Sequence, residues 1–224
     1  MTFVFTGVAL VLVFNTALLG FLAWAHQSPR FAKYRISTAP GMKVPMKKRL
    51  GTMALISTCS LLWVVGGTYL GFDALVRTSS SGALRTAFEA LAILVLYDFL
   101  YYGMHRTLHH KKLMRLVHGV HHRARNPSAF ESFFLHPIEL SLGLGLLFAC
   151  TWVVGPVSPV AFLIAFFVYS NLNIIIHSGL DLPGALLAPT SLLTRKHHIH
   201  HQKDFSKNYA SLSPIPDWVF GTLG

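Results

Sequence analysis

Residues 157–176 read VSPVAFLIAFFVYSNLNIII, and the next residue is His177. The run carries no charged side chain, and it has the length of roughly 20 residues that a helix needs to cross a hydrocarbon core. Similar apolar runs cover residues 3–25, 52–72, 86–104 and 138–154. The last of these is short and contains Glu139. The pattern therefore predicts an all-α integral membrane bundle with four to five membrane-embedded helices.

Composition indicates the same class of protein. Hydrophobic residues make up 53% of the chain and charged residues 12%, whereas soluble domains are roughly 25% charged. No internal repeat or separable linker is visible, so we predict a single domain over residues 1–224. Within it, residues 1–85 hold the first two spans and a basic loop, and residues 86–222 form the functional core. We expect the first span to be retained, because it lacks a basic n-region and is longer than the apolar core of a signal peptide.

The net charge of +11 is distributed unevenly along the chain. Seven basic residues lie in residues 26–50, six in residues 105–137, and four after His177, which is 17 of the 19. Only Arg77 and Arg85 lie between the second and third runs. With five crossings and the N-terminus outside, the basic segments all face the cytoplasm, as the positive-inside rule requires. This distribution argues against a nucleic-acid-binding protein and predicts a multi-pass protein of the bacterial inner membrane or the endoplasmic reticulum.

Histidines are concentrated in the second half of the chain, where twelve of the thirteen follow residue 104. Their arrays are His105-x-x-x-His109, His118-x-x-His121-His122, the single His177, and His197-x-x-His200-His201. On a helix, spacings of three and four residues place side chains on one face. Neutral imidazole is a good ligand for iron, zinc, copper and nickel. In the five-crossing topology all these arrays lie on one side of the membrane, which predicts a cytoplasmic, histidine-rich metal-binding cap.

The number of histidines suggests two metal ions. A structural zinc ion takes four ligands and a catalytic one takes three plus water, so nine motif histidines are too many for one ion. No Glu-x-x-His pair supplies the bridging carboxylates of ferritin-like di-iron proteins. The arrays therefore predict an all-histidine site for two metals, each with an open position.

Several short motifs together are similar to the fatty acid hydroxylase/sterol desaturase superfamily. They include Tyr101-Tyr102-Gly-Met-His105, the two HxxHH arrays, Ala129-Phe130-Glu131, His136-Pro137-x-Glu139, Asn208-Tyr209 and Asp217-x-x-Phe220-Gly221-Thr222. They occur in the family's order over roughly residues 97–222. The first two spans match only as generic hydrophobic helices.

This resemblance implies a non-haem di-iron enzyme that uses O₂ to oxidise a C–H position of a membrane lipid. It implies two iron ions and an external electron donor of the cytochrome b5 or ferredoxin type. The metal ligands it implies are His105, His109, His118, His121, His122, His177, His197, His200 and His201. Some members of the family carry a further histidine where this chain has Asn173, one turn before His177. We expect the Asn173 amide to hold a metal-bound water.

Other polar residues are expected to orient the ligands by accepting the distal imidazole N–H. The candidates are Asp98, Glu131, His136, Glu139, Asp204 and Asp217. Asp98 and Glu139 lie within or beside apolar runs, where carboxylates are costly and usually functional. His136 is either such an orienting group or a peripheral ligand. We interpret His110 and His198 as neighbours outside the motif register, His26 as a surface residue and Glu89 as an interfacial residue near the outer end.

Hydroxylation of a fatty-acyl or sterol-like lipid is the favoured function, and desaturation by the same site is the alternative. A zinc-dependent membrane hydrolase and a metal transporter are the competing classes. A transporter is expected to place its ligands near the bilayer midplane, whereas these histidines cluster at one interface. Iron content and O₂ uptake separate the classes. The sequence leaves the lipid, the oxidised carbon and the oligomeric state open.

Overall fold

The computed structural model describes residues 1–39, 41–79, 81–185, 187–202 and 205–224. Within these ranges, extended pairing is limited to two isolated bridges, which confirms the predicted all-α class. The helices are α1 (Thr2–Gln27), α2 (Met46–Leu70), α3 (Phe72–Leu75), α4 (Ala83–Leu108), α5 (Lys111–Leu116), α6 (Pro137–Val154), α7 (Pro159–Ile176), α8 (Ala188–His201) and α9 (Ile215–Val219). Short 3₁₀ helices occupy Pro29–Tyr34, His118–Arg123 and Ala129–Phe133.

Four of these helices, α1, α2, α6 and α7, are long and apolar enough to cross a membrane. This agrees with the expected four to five membrane-embedded helices. The 26-residue helix α4 is as long as α1, but it carries Arg85, Glu89, Asp98 and Arg106 and is not among the four. It packs against both α6 and α7, and its two acidic residues, Glu89 and Asp98, are buried, whereas Arg85 and Arg106 are exposed.

The long helices pack as a series in which each one contacts the next. Helix α1 packs on α7, α7 on α4, α4 on α6, and α6 on α2. One apolar core runs through this series and includes Val4, Val8, Ile93, Leu147 and Phe162. Val4 and Val8 are one helical turn apart, which places both on the same buried face of α1.

The outer faces of the bundle remain apolar. Leu10, Leu62, Leu84, Leu91 and Trp152 are all more than 60% exposed. Large apolar side chains this exposed occur on several of the long helices, and extensive exposed apolar surface is unusual in a soluble monomer. It suits a lipid environment, in which the helix satisfies its own backbone hydrogen bonds and presents hydrocarbon outward.

Helix α2 approaches α6 closely at a glycine. A Cβ atom built on Gly67 would lie 3.2 Å from the Phe148 ring, whereas a Cβ atom on the preceding Gly66 meets nothing within 4 Å. Gly67 therefore faces α6 and Gly66 faces outward. Small residues at helix contacts let membrane helices approach closely.

Glu89 anchors one end of the bundle. Its carboxylate is 6% exposed and pairs with Arg77 at 2.8 Å and with Arg85 at 2.9 Å. It also accepts a 2.9 Å hydrogen bond from the backbone N–H of Ser158 at the start of α7. The interpretation of Glu89 as an interfacial residue near the outer end stays a prediction, and the structure adds that its carboxylate is buried and paired. Its sequence neighbours on α4 did not indicate that two arginines and the 155–158 turn would cover it.

At the other end of the bundle, the segment after α1 is more ordered than the predicted loop. Residues Pro29–Tyr34 form a 3₁₀ helix, and the backbones of Arg35 and Leu180 form an isolated bridge. Helix α2 begins at Met46, directly after Pro45, so Lys47, Lys48 and Arg49 belong to its first turn. Pro45 itself is the N-cap residue and is not helical, with φ of −53° and ψ of 136°. This end also holds the histidines.

Candidate metal centre

Each histidine array is carried by a different part of this end. His105 lies on the last turns of α4, and His109 directly follows the helix. His118, His121 and His122 lie on a 3₁₀ helix that leads back toward α6. His177 directly follows α7, and the final array occupies the last turn of α8. Chain reversals after the long helices thus bring all the arrays to one end.

The nine motif histidines form two groups. Within each group the ligand nitrogens all lie within 4.8 Å of one another. The first, the five-histidine group, contains His105, His109, His118, His122 and His200, and the second, the four-histidine group, contains His121, His177, His197 and His201. Eight of the nine side chains are buried, and His109 is partly exposed.

The Nε2 atoms converge within each group. In the five-histidine group, those of His105, His118, His109 and His200 form a ring with successive separations of 3.0, 3.1, 3.1 and 3.1 Å. The Nε2 atom of His122 lies 3.0 Å from that of His118. In the four-histidine group, the Nε2 atom of His177 lies 3.2 Å from that of His121 and 2.8 Å from that of His197.

These separations fit the coordination shell of a metal ion. Imidazole nitrogens bind first-row metals at about 2.1 Å, so two ligands at right angles around one ion are about 3.0 Å apart. In the described residues the nitrogens converge without an acidic or thiolate ligand in either group. The donor set is therefore neutral and borderline-soft, which suits iron, zinc, copper or nickel. Both groups fit the predicted metals.

The two groups interleave along the sequence. His118 and His122 belong to the five-histidine group, and His121 between them belongs to the other. In the last array the order is reversed, because His197 and His201 belong to the four-histidine group and His200 to the five-histidine group. The His122 and His201 rings, one from each group, stack with centroids 4.8 Å apart. The two candidate metal positions are therefore neighbours.

Burial keeps the imidazoles neutral. It lowers the pKa of His109, His118 and His121 to about 3 and that of His177 to about 4. Neighbouring histidines lower the pKa of His109 further, His118 first among them. At neutral pH each Nε2 lone pair is therefore available to a cation, which an imidazolium could not offer.

Backbone carbonyls hold several of the rings. The Nδ1 atoms of His105, His200 and His177 donate to the carbonyls of Tyr209 at 2.6 Å, Lys207 at 2.7 Å and Asn173 at 2.6 Å. His121 Nδ1 donates a longer bond of 3.4 Å to the Phe134 carbonyl. A proton fixed on Nδ1 leaves Nε2 as the ligand. The sequence did not indicate these partners, because every residue has a carbonyl.

One of the candidate carboxylates reaches a ligand. The Glu139 Oε1 atom lies 2.9 Å from the Nδ1 atom of His118, although the two groups are not aligned as a linear hydrogen bond. Asp98 accepts hydrogen bonds from the backbone of Leu212 at 2.9 Å and from the hydroxyl of Ser213 at 2.6 Å. Asp98 therefore contacts residues 212–213 and not an imidazole.

The remaining candidates have mainly structural contacts. Glu131 caps its 3₁₀ helix through Ser128 and pairs with Arg49 on α2. His136 caps α6, accepting a 3.2 Å hydrogen bond at Nδ1 from the Ile138 N–H. Asp204 lies outside the described residues.

Asp217 forms part of a buried ion pair. Its Oδ2 atom lies 2.5 Å from the ammonium group of Lys196. Lys196 is 4% exposed, and from the sequence it counted only as one of the basic residues of the tail. The low exposure and the paired charge make Lys196 a second feature that sequence reasoning missed.

Asn173 has an intrahelical hydrogen bond. Its side-chain N–H donates to the backbone carbonyl of Tyr169 at 2.9 Å. Its backbone carbonyl accepts a hydrogen bond from Nδ1 of His177. A role for the amide in holding a metal-bound water stays a prediction.

Four histidines lie outside both groups: His136, described above, and His26, His110 and His198. His110 caps the start of α5 and lines an open surface cavity beside His109. His198 is buried, and its Nε2 atom lies 3.0 Å from the Gln202 side-chain nitrogen. His26 is half-buried beside Gly179 and lines a small cavity with His198. Where the sequence suggested a surface residue, His26 is half-buried beside Gly179.

The fold and the site together define a helical membrane protein with a paired histidine centre. The sequence profile of the fatty acid hydroxylase family matches residues 90–222. The chain belongs to the fatty acid hydroxylase family, which confirms the resemblance seen in its motifs. It is accordingly an oxidoreductase of the class that acts on lipids.

Similar proteins include two enzyme types. Rat methylsterol monooxygenase 1 is 35% identical over 143 residues, which is 61% of this chain and 47% of the rat protein. A very-long-chain aldehyde decarbonylase of Oryza sativa subsp. indica is 31% identical over 206 residues, covering 86% of this chain and 74% of the rice protein. Methylsterol monooxygenase 2-2 of Arabidopsis thaliana is 29% identical over 202 residues, covering 85% of this chain and 74% of that protein. No solved structure matches the chain.

Proposed function

We propose that this protein is a di-iron monooxygenase that hydroxylates a C–H position of a membrane lipid. The observation that carries the proposal is the separation of nine motif histidines into two converging groups of neutral nitrogens. Two iron ions held there would activate O₂ for attack on an unactivated C–H bond. The names of similar proteins refer to methylsterols and very-long-chain aldehydes, which supports a sterol-like or long-chain lipid substrate.

The residues of the chain prepare this chemistry by position and by exclusion of water. Carbonyls of Tyr209, Lys207 and Asn173 hold three imidazoles with Nε2 directed inward. Burial removes water that would compete for the metals and quench a strong oxidant. The groups lie at the end of an apolar bundle, where a lipid can approach from the bilayer. On the resemblance to the fatty acid hydroxylase family, we propose an external donor of the cytochrome b5 or ferredoxin type for the two electrons.

We further propose that the histidine end faces the cytoplasm. The basic segments 26–50 and 105–137 and the tail after His177 all lie at this end, and the positive-inside rule places such segments on the cytoplasmic side. The host membrane is then a bacterial inner membrane or the endoplasmic reticulum. A cytoplasmic site gives a soluble electron donor direct access.

The function is tested by lipid mass spectrometry of a membrane host with and without the protein, together with its iron content and O₂ uptake. We expect about two iron ions per chain and a lipid that gains 16 mass units, which is one oxygen atom inserted. His177→Ala should abolish the new lipid. A loss of 2 mass units would assign a desaturase instead. Bound zinc without O₂ uptake would overturn the oxygenase and favour a hydrolase.

A further inference from the structure

Residues 207–224, here called the C-terminal segment, lie over the five-histidine group. Two carbonyls of this segment accept hydrogen bonds from candidate ligands. The Lys207 carbonyl lies 2.7 Å from Nδ1 of His200, and the Tyr209 carbonyl lies 2.6 Å from Nδ1 of His105. His200 lies near the end of α8 and His105 near the end of α4. The C-terminal segment belongs to neither helix and contacts both of these candidate ligands.

The residue between these carbonyls has an unusual backbone conformation. Asn208 has φ of 61°, the one positive value among the non-glycine residues that the structure describes. Asparagine tolerates this left-handed conformation better than most residues. Its side chain donates to the Gly224 carbonyl at 2.9 Å and accepts from the Gly224 N–H at 3.1 Å. The turn at Asn208 thus directs both flanking carbonyls toward the imidazoles.

Asp217 secures this turn from inside the segment. Its Oδ1 atom accepts hydrogen bonds from the Tyr209 N–H at 2.7 Å and the Thr222 hydroxyl at 2.8 Å. Its Oδ2 atom accepts from the Ala210 N–H at 3.0 Å and from the Lys196 ammonium at 2.5 Å. The side chain has no exposed surface. Both oxygens are therefore fully used, and one partner is a charge on the helix that carries His200.

Asp98 secures the same segment to the other helix. It is 3% exposed on α4, and its two oxygens hold the Leu212 N–H and the Ser213 hydroxyl. Because α4 also carries His105, the segment is fixed to both helices whose histidines it contacts. Buried carboxylates in an apolar bundle are costly unless they are fully satisfied, and these two are satisfied mainly by this one segment.

The four-histidine group has different supports. Its Nδ1 partners in the described residues are the carbonyls of Asn173 on α7 and Phe134 beside the 3₁₀ helix. Neither belongs to the C-terminal segment. The segment therefore supports one of the two groups selectively.

From this asymmetry we infer that Asp217, Lys196 and Asp98 are positioning residues for one metal only. They hold the C-terminal segment so that its carbonyls at 207 and 209 fix the imidazoles of His200 and His105. This inference rests on the proposed metal centre. It predicts that damage to the segment empties the five-histidine group and spares the other group.

The test is Asp217→Asn in the full-length protein, purified in detergent and loaded anaerobically with Co²⁺. An amide cannot accept all four hydrogen bonds, and it removes the ion-pair partner of the buried Lys196. Loss of supports of this kind typically costs 10–100-fold in metal affinity. We expect Co²⁺ bound after dialysis to fall from about two to about one per chain, with loss of part of the visible Co²⁺ absorption.

Glu89→Gln is the matched control. It also replaces a buried, ion-paired carboxylate by an amide, but at the opposite end of the bundle. We expect it to lower thermal stability while about two Co²⁺ ions remain bound. Two ions retained by Asp217→Asn, or an equal loss from both groups, would overturn the inference. A wild-type chain that binds no metal would instead overturn the proposed centre itself.

A second pair of variants keeps the test open if Asp217→Asn does not fold. Asn208→Ala places a residue that disfavours positive φ at the turn, whereas Asn208→Gly keeps the conformation accessible. Both remove the side-chain bonds to Gly224. We expect the glycine variant to retain more Co²⁺ in the five-histidine group than the alanine variant. Equal, full retention by both would contradict a role for this turn in holding the carbonyls.

Discussion

His200 and His198 are buried neighbours on α8 with different surroundings. His200 belongs to the five-histidine group, whereas His198 contacts the Gln202 side chain. We expect His200→Ala to lower oxidation by more than about 100-fold, because even residues that only support a ligand cost 10–100-fold. His198→Ala should keep about two irons per chain and most of the activity. Iron content and turnover of the two variants check this, and similar losses in both would remove the distinction between them.

At the residue scale, the sequence indicated which histidines lie together better than it indicated the groups that hold their rings. The nine motif histidines make up the two groups. The sequence could indicate them because histidines at helical spacing are a specific pattern. The supports of four rings are carbonyls of residues as different as Lys207 and Phe134. Backbone groups leave no trace in residue type, so no pattern could have indicated them. The carboxylates Asp98 and Asp217 were candidates for orienting the ligands, but which groups they hold depends on the path of residues 207–224.

At the scale of elements, α2 offers a test of helix packing. Gly67 faces Phe148 on α6 and Gly66 faces open space. Gly67→Leu should push α2 away from α6 and destabilise the protein by about 1–3 kcal/mol, as overpacking does. Gly66→Leu should be neutral or slightly stabilising, because leucine favours helix and suits lipid. Thermal unfolding of the two variants in the same detergent compares them directly. Equal melting temperatures would show that α2 does not depend on this contact.

Apolar runs predicted the long helices well and their ends less well. The predicted run 157–176 corresponds to α7, which begins at Pro159 because Ser158 caps it. Helix α2 begins six residues before its predicted run 52–72 and includes three basic residues. Long basic side chains can extend their charge to water while their stems remain apolar. Hydropathy therefore underestimates helices that continue past the membrane surface.

At the scale of the whole molecule, the orientation in the membrane is testable. We expect a single cysteine introduced at Thr78, in a background with Cys59 and Cys150 replaced by alanine, to react with an impermeant maleimide from outside the cell. A cysteine at Lys43 should react only after the membrane is opened. The reason is the concentration of basic residues at the histidine end. The reverse labelling pattern would place the centre on the outer side and remove direct access for a cytoplasmic donor.

The interleaving of the two groups also constrains how the protein can change over evolution. His121 and His122 are consecutive but belong to different groups, and the same is true of His200 and His201. Consecutive Cα atoms are about 3.8 Å apart, so peptide geometry itself ties the two metal positions together. An insertion or deletion of one residue inside 118–122 or 197–201 would exchange ligands between the two positions instead of weakening only one. Length differences among relatives should therefore fall outside these two stretches.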